Sequence, residues 1–192
     1  MNTNYRLAGW SALLAALTSL FSVVTFVIGM QFGWDKVGLP NDIASVILIA
    51  QYFPIFLGLD RMTRASSPAL GRTLLLVGCL TAAMVAFVQI IFIARIIDFP
   101  ATIVPTWGGG IVIGLVFIGF NGLAFRNRSF PAALTILGMI AYAGIAVSGV
   151  GSLIEQGHPL TWIGGSFGSL TIVWLIWAGW FWLKEIRVGD VL

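Results

Sequence analysis

Residues 7–30 read LAGWSALLAALTSLFSVVTFVIGM, a run without a single charged residue. A helix rises about 1.5 Å per residue, so this stretch is long enough to cross a hydrocarbon core roughly 30 Å thick. It is longer than the apolar stretch of a secretory signal, and no small-residue cleavage site follows it, so it reads as an uncleaved first span. Small residues recur along it at Ala8, Ser11, Ala15, Thr18, Ser22, Thr25 and Gly29, in alternating steps of three and four. That spacing places them on one helix face. Burying apolar surface does not hold helices together in lipid. Close backbone approach and interhelical hydrogen bonds do, and small residues permit both. The seam from Ser11 through Ala15, Thr18, Ser22 and Thr25 to Gly29 therefore predicts a helix-packing face, with a docking face for a partner subunit or lipid as the sharper alternative.

The rest of the chain follows the same pattern. Of its 192 residues, 59% are hydrophobic and 9% charged, where a soluble domain carries roughly 25% charged residues. Five more apolar segments qualify as spans, giving 7–30, 42–59, 73–97, 104–124, 131–153 and 160–183. The breaks between them carry turn and charge signals: Gly33 to Pro40, Asp60 to Arg72 with Ser66 and Pro68, Pro100 and Pro105, Arg126 to Phe130, and Glu155 to Pro159. All are short, which makes successive helices antiparallel neighbours. The expected fold is all-α, a single polytopic bundle of six transmembrane helices occupying residues 1–192.

Basic residues set the expected orientation. With the N-terminus cytoplasmic, Arg6, Arg61, Arg64, Arg72, Arg126, Arg128, Lys184 and Arg187 lie inside, against Lys36 and Arg95 outside. The acids show no such bias: Asp60, Glu185 and Asp190 are inside, and Asp35, Asp42, Asp98 and Glu155 outside. Trp34, Trp107 and Trp162 fall at outer ends and Trp10, Trp177, Trp180 and Trp182 at inner ends, the depths that indole prefers. Both termini are thus expected in the cytoplasm. Basic residues arrive in twos and threes rather than as a continuous face, which argues against a nucleic-acid partner.

Further small-residue faces run through Gly138, Ala141, Gly144, Ser148 and Gly151, and the pairs Gly110/Gly114 and Gly164/Gly168 have small-xxx-small spacing. Pro54 is expected to kink the second span. The halves of the chain show no similarity that would mark an inverted repeat.

Buried chemistry is sparse. Ionisable residues at membrane depth are expensive and usually functional, and the middle of each span lacks Asp, Glu, Lys and His. That pattern argues against a carboxylate-coupled transporter, an intramembrane protease and a retinal protein. Gln51 and Gln89 are the polar groups picked out within the apolar runs, each about 12–15 Å from its outer end at helical rise. They read either as a clasp between spans two and three or as contacts to a bound small molecule. Arg95 and Asp98, three residues apart near the outer end of span three, are expected to pair on one helix face, or to contact an anion or headgroup. His158 with Glu155 is a candidate for a metal or for the magnesium of a pigment, although one histidine and one carboxylate make no specific signature. An enzyme reading requires Arg95, Asp98, Glu155 and His158 to converge. Gly108–Gly110 reads as a flexible helix entry, since the rest of a phosphate-binding loop is missing. Cys79 is the only cysteine, so no intrachain disulfide forms.

The stretch Asn121-Gly-Leu-Ala-Phe-Arg-Asn-Arg-Ser-Phe-Pro131, followed by Ala-Ala-Leu-Thr-Ile-Leu-Gly138 and the ending Ile176-Trp-Ala-Gly-Trp-Phe-Trp-Leu183, resembles uncharacterised bacterial six-helix integral membrane families of unknown function. That resemblance covers the last third of the chain and implies architecture and a bacterial inner membrane, but no functional residues. Size, helix count and the Ala8-xxx-Ala12-xxx-Ala16 pattern also look like substrate-binding subunits of energy-coupling-factor vitamin transporters, which present such faces to a partner. The sequence thus points to a non-catalytic membrane protein: an accessory or scaffold subunit of a membrane complex or a homo-oligomer, or a lipid- or pigment-binding protein. A small-solute binding or transport protein is the alternative, and a membrane enzyme with an outer-face polar site is the third.

Overall fold

The computed structural model describes residues 3–64, 67–155 and 157–189, with the side chains of residues 3, 4 and 185–189 left aside. Ser66 and Asp190 therefore lie outside the described residues, as do the side chains of Glu185 and Arg187. The elements are α1 (Thr3–Phe32), α2 (Gly38–Thr63), α3 (Pro68–Ile93), α4 (Phe99–Asn127), α5 (Ala132–Ile154), α6 (Pro159–Gly168) and α7 (Leu170–Gly189). Six helical stretches are long and apolar enough to cross a membrane, the sixth being α6 and α7 in succession. Their surfaces fit that solvent. On α3, Leu80 and Phe87 are 62% and 63% exposed, an apolar display that would be costly in water and is neutral against lipid tails.

The helices extend beyond the apolar runs. Asp60, expected in a loop, lies inside α2, which continues to Thr63. The expected break at Pro100–Pro105 is helix. Asp98 caps α4 by accepting from the Ala101 amide at 3.4 Å, and Pro100 occupies the first turn, where a missing N–H costs nothing. Gly108–Gly110 consequently lies in the third turn of α4 and is no helix entry. Trp107 sits two turns into that helix. In contrast, α3 stops at Ile93 rather than Ile97. Arg95 adopts a left-handed conformation (φ 58°), and the Ile96 amide turns back to the Ile91 carbonyl, a helix-ending motif. Arg95 and Asp98 therefore share no helix face, and they form no ion pair among the described residues.

The spans close into a ring. Each packs on the next in sequence, and α7 returns to α1, while α4 touches α2 and α5 touches α7 across the middle. The start of α1 lies against the end of α7 through Gly9 and Gly179, where a methyl on Gly179 would lie 2.9 Å from the Gly9 carbonyl oxygen. Both chain ends therefore occupy one side of the bundle, here the terminal side. Arg61, Arg64, Arg72, Arg126, Arg128 and Lys184 lie on that side, with Lys36 and Arg95 on the far side.

The small-residue seam of α1 is turned inward. Ser11, Ala15, Thr18, Thr25 and Gly29 are buried and Ser22 is half-buried. Thr18 donates to the Leu14 carbonyl, Thr25 bonds the side-chain oxygen of Asn41 at 2.9 Å, and the Trp34 ring covers Gly29. Ala8, Ala12 and Ala16 are buried as well, and Ala8 fills the space beside Gly58 of α2. The alanine face is thus consumed within this chain.

The last span is jointed. Between α6 and α7 the backbone of Ser169 stays helical (φ −62°, ψ −22°), and the ladder tightens there as the Ile172 amide turns to the Ser169 carbonyl at 3.1 Å. The carbonyls around the joint are met by hydroxyls, Ser169 donating to Ser166 and Thr171 to Gly168, each at 2.7 Å. Below the joint α7 packs on α1. Above it α6 leans on α5, where a methyl on Gly144 would lie 2.5 Å from the Gly168 amide nitrogen and 2.7 Å from the Gly164 carbonyl oxygen. Ser148 donates to the Thr161 carbonyl across the same crossing. No backbone of α6 comes within 8 Å of α1, Cα to Cα, among the described residues. The rings of Phe26 and Trp162 meet across that gap, edge to face at 6.4 Å.

Candidate ligand-binding site

At mid-depth the bundle holds an aromatic cluster with polar tips. Phe117 of α4 is its hub. Tyr142 of α5 stacks on it in parallel at 3.9 Å, and Tyr52 of α2 and Trp174 of α7 meet it edge-on at 5.3 Å and 5.6 Å. Phe56 and Phe120 extend the cluster toward the terminal side. Aromatic contacts of this kind contribute about 0.5–1.5 kcal/mol each beyond the area they bury.

The polar tips differ in how they are satisfied. Asn121 is fully buried. Its amide nitrogen donates to the Phe117 carbonyl at 2.9 Å, and its oxygen accepts from the Trp174 indole at 3.1 Å. Gly138 makes this bond possible, because a Cβ there would collide with both the Asn121 oxygen and the indole nitrogen. Tyr142 is 1% exposed, and its hydroxyl has no hydrogen-bond partner among the described residues. A buried hydroxyl left unpaired costs about 1–3 kcal/mol, so this group stands out in a cluster where every other polar atom of Asn121 and Trp174 is used. The Tyr52 hydroxyl is near enough to interact with it electrostatically. Tyr52 keeps part of its surface accessible despite its depth. Ser22 of α1 has a second buried, unpaired hydroxyl.

The residues singled out from the sequence are dispersed. Gln89 is buried and donates to the Thr106 hydroxyl of α4 at 3.1 Å. Gln51 is half-buried, and no bond joins it to Gln89. The expected clasp between spans two and three is replaced by one between α3 and α4, because Gln89 turns toward the next helix. Asp98 caps α4 and Arg95 is exposed in the preceding turn. His158 caps α6, its Nδ1 accepting from the Leu160 amide at 3.2 Å, and Glu155 is exposed beside it. No hydrogen bond or ion pair joins Arg95 or Asp98 to Glu155 or His158 among the described residues, and no group of three His, Cys, Asp or Glu stands close enough to hold a metal. These side chains act locally as helix caps and surface charges.

Sequence reasoning passed over Asn121, Tyr142 and Trp174. Asn121 stands in an apolar run one turn before Arg126, and the signal that could have exposed it is its pairing with a glycine, Gly138, on the next helix. Asp60 was also passed over. It is fully buried on the terminal side and ion-paired to Arg64 one turn on.

Comparison with protein-family models, with curated proteins and with solved structures finds no match to this chain.

Proposed function

We propose that this chain is a non-catalytic integral membrane protein that binds an amphiphilic molecule, a lipid or a lipophilic pigment, admitted from the bilayer between α1 and α6. The Tyr142 hydroxyl carries this reading: it is a polar group at hydrocarbon depth with no hydrogen-bond partner among the described residues. Tyr52 and Tyr142 belong to α2 and α5, which pack on α1 and α6, the two helices that stay apart in the half of the bundle above Ser169. A head bearing a hydroxyl or carbonyl would satisfy the tyrosines, and its apolar body would meet the rings of Phe117 and Phe26. The sparseness of ionisable groups at that depth suits binding better than proton transfer or hydrolysis. The distribution of basic residues favours a cytoplasmic terminal side, which places the parted helices in the outer half of the membrane.

Photolabelling of the protein in lipid nanodiscs by a diazirine-bearing fatty acid tests this. The expected labels fall on peptides holding Tyr52 and Tyr142 as well as on the lipid-facing peptides holding Leu80 and Phe87. In a Cys79→Ser background, Phe26→Cys and Trp162→Cys joined by a short bis-methanethiosulfonate cross-linker should abolish the first labels and leave the second unchanged. Labelling confined to lipid-facing peptides in the unlinked protein would overturn the proposal.

A further inference from the structure

The turn between α4 and α5 holds an open cleft of about 460 Å³ on the terminal side, lined by Phe125, Arg126, Arg128, Phe130 and Ala132. Its two guanidinium groups are exposed, and neither has an ion-pair partner among the described residues. Ala132 is the first residue of α5, a helix of 23 residues with no side-chain cap, so the positive end of its dipole stands at the wall of the cleft. Arg128 is held at φ 55°, in the left-handed region that an L side chain enters at a cost and that glycine or asparagine would occupy more easily. The preceding Asn127 has a buried side-chain nitrogen with no hydrogen-bond partner among the described residues. Phe125 is an exposed ring and Phe130 a buried one, so apolar surface adjoins the charge.

We infer that this cleft binds a phosphate group, supplied by the headgroup of an anionic phospholipid. Two arginines separated by a single residue, with a helix N-terminus beside them, supply charge and forked donors suited to phosphate oxygens. The exposed Phe125 offers the adjoining glycerol and first acyl carbons an apolar wall. Basic pockets between membrane helices take phospholipid headgroups in this manner. The left-handed cap at Arg128, where the Ser129 amide returns to the Ala124 carbonyl, ends α4 as Arg95 ends α3 and sets the arginine in the wall of the cleft. The site is separate from the tyrosine pair in both position and chemistry and does not depend on it.

Native mass spectrometry of the full chain released from nanodiscs provides the test. The wild type should retain phosphatidylglycerol at least tenfold over phosphatidylcholine, and the double variant Arg126→Gln/Arg128→Gln should lose that preference. Arg128→Gly guards against misfolding, because it relieves the strained backbone. It should raise the melting temperature while lowering phosphatidylglycerol retention severalfold. Equal retention of the two lipids by the wild type, or unchanged preference in the double variant, would overturn the site. Soluble glycerol 3-phosphate that displaces phosphatidylglycerol at equal concentration would reassign the phosphate to a water-borne donor and overturn the lipid source.

Discussion

The last span meets α1 along only half of its length, and the two halves are built by different rules. Around α7, α1 approaches until Gly9 and Gly179 touch backbone to backbone. Large rings fill the space beside them: Trp174 and Trp182 are fully buried, and the Trp182 indole donates to the Met62 sulfur at 2.8 Å. Around α6, the close approach is to α5 instead, and the rings of Phe26 and Trp162 meet across the distance to α1. A membrane bundle has no hydrophobic collapse to seal such a gap, so helices part wherever small-residue contact or hydrogen bonding ends. The difference teaches that cohesion in this chain is local. It is set crossing by crossing, and a span can be tied at one end and loose at the other.

That comparison can be broken most severely at the α5–α6 crossing. Gly144→Val should cost about 3 kcal/mol or more, since its obstacles are the Gly168 nitrogen and Gly164 oxygen, which are backbone atoms and cannot rotate away. Unfolding in mixed micelles would measure the loss. Little change would mean that α6 is not held there. Next comes Gly138→Ala, expected to cost roughly 2–4 kcal/mol by overpacking and by breaking the buried Asn121–Trp174 bond. Its signature beyond stability is altered tryptophan fluorescence, and an unaltered spectrum at full stability would contradict that geometry. Tyr142→Phe should act in the opposite direction, stabilising ligand-free protein by about 1 kcal/mol through removal of an unpaired buried hydroxyl. Destabilisation of the ligand-free protein would show that the hydroxyl has a partner after all. The smallest effect belongs to Gly110→Ala. Nothing lies within 4 Å of the methyl it would add, so helix propensity alone should give a gain of up to about 1 kcal/mol, measured by the same unfolding curves.

The six spans were legible because a run such as 7–30 is long and apolar enough to cross a membrane, and the seam of α1 because its spacing has a helical period. Span ends were less legible. Pro100 and Pro105 look like breakers on paper, whereas Asp98 caps a helix that begins before them. At Ile93 the reverse occurred: the apolar sequence continues through Ile97, but a left-handed Arg95 ends the helix. Polar partnerships were the least legible. Gln89 chose Thr106 over Gln51, and Asn121 chose Trp174 on a helix far along the chain. Such choices depend on which rotations the packing leaves open, and no local pattern records them. The division at Ser169 was equally hidden: no proline stands there, and α6 lies on Gly144 and Gly151 of α5 while α7 lies on Gly9 of α1.

That joint bears on how the chain would tolerate bilayers of different thickness. A stiff span answers a mismatch of a few ångströms by tilting as a whole, which strains every contact along it. Here α6 is only 10 residues, about 15 Å at helical rise. It has no seat on α1, whereas α7 does, so a thinner or thicker membrane would be expected to shift the half above Ser169 more than the half below it.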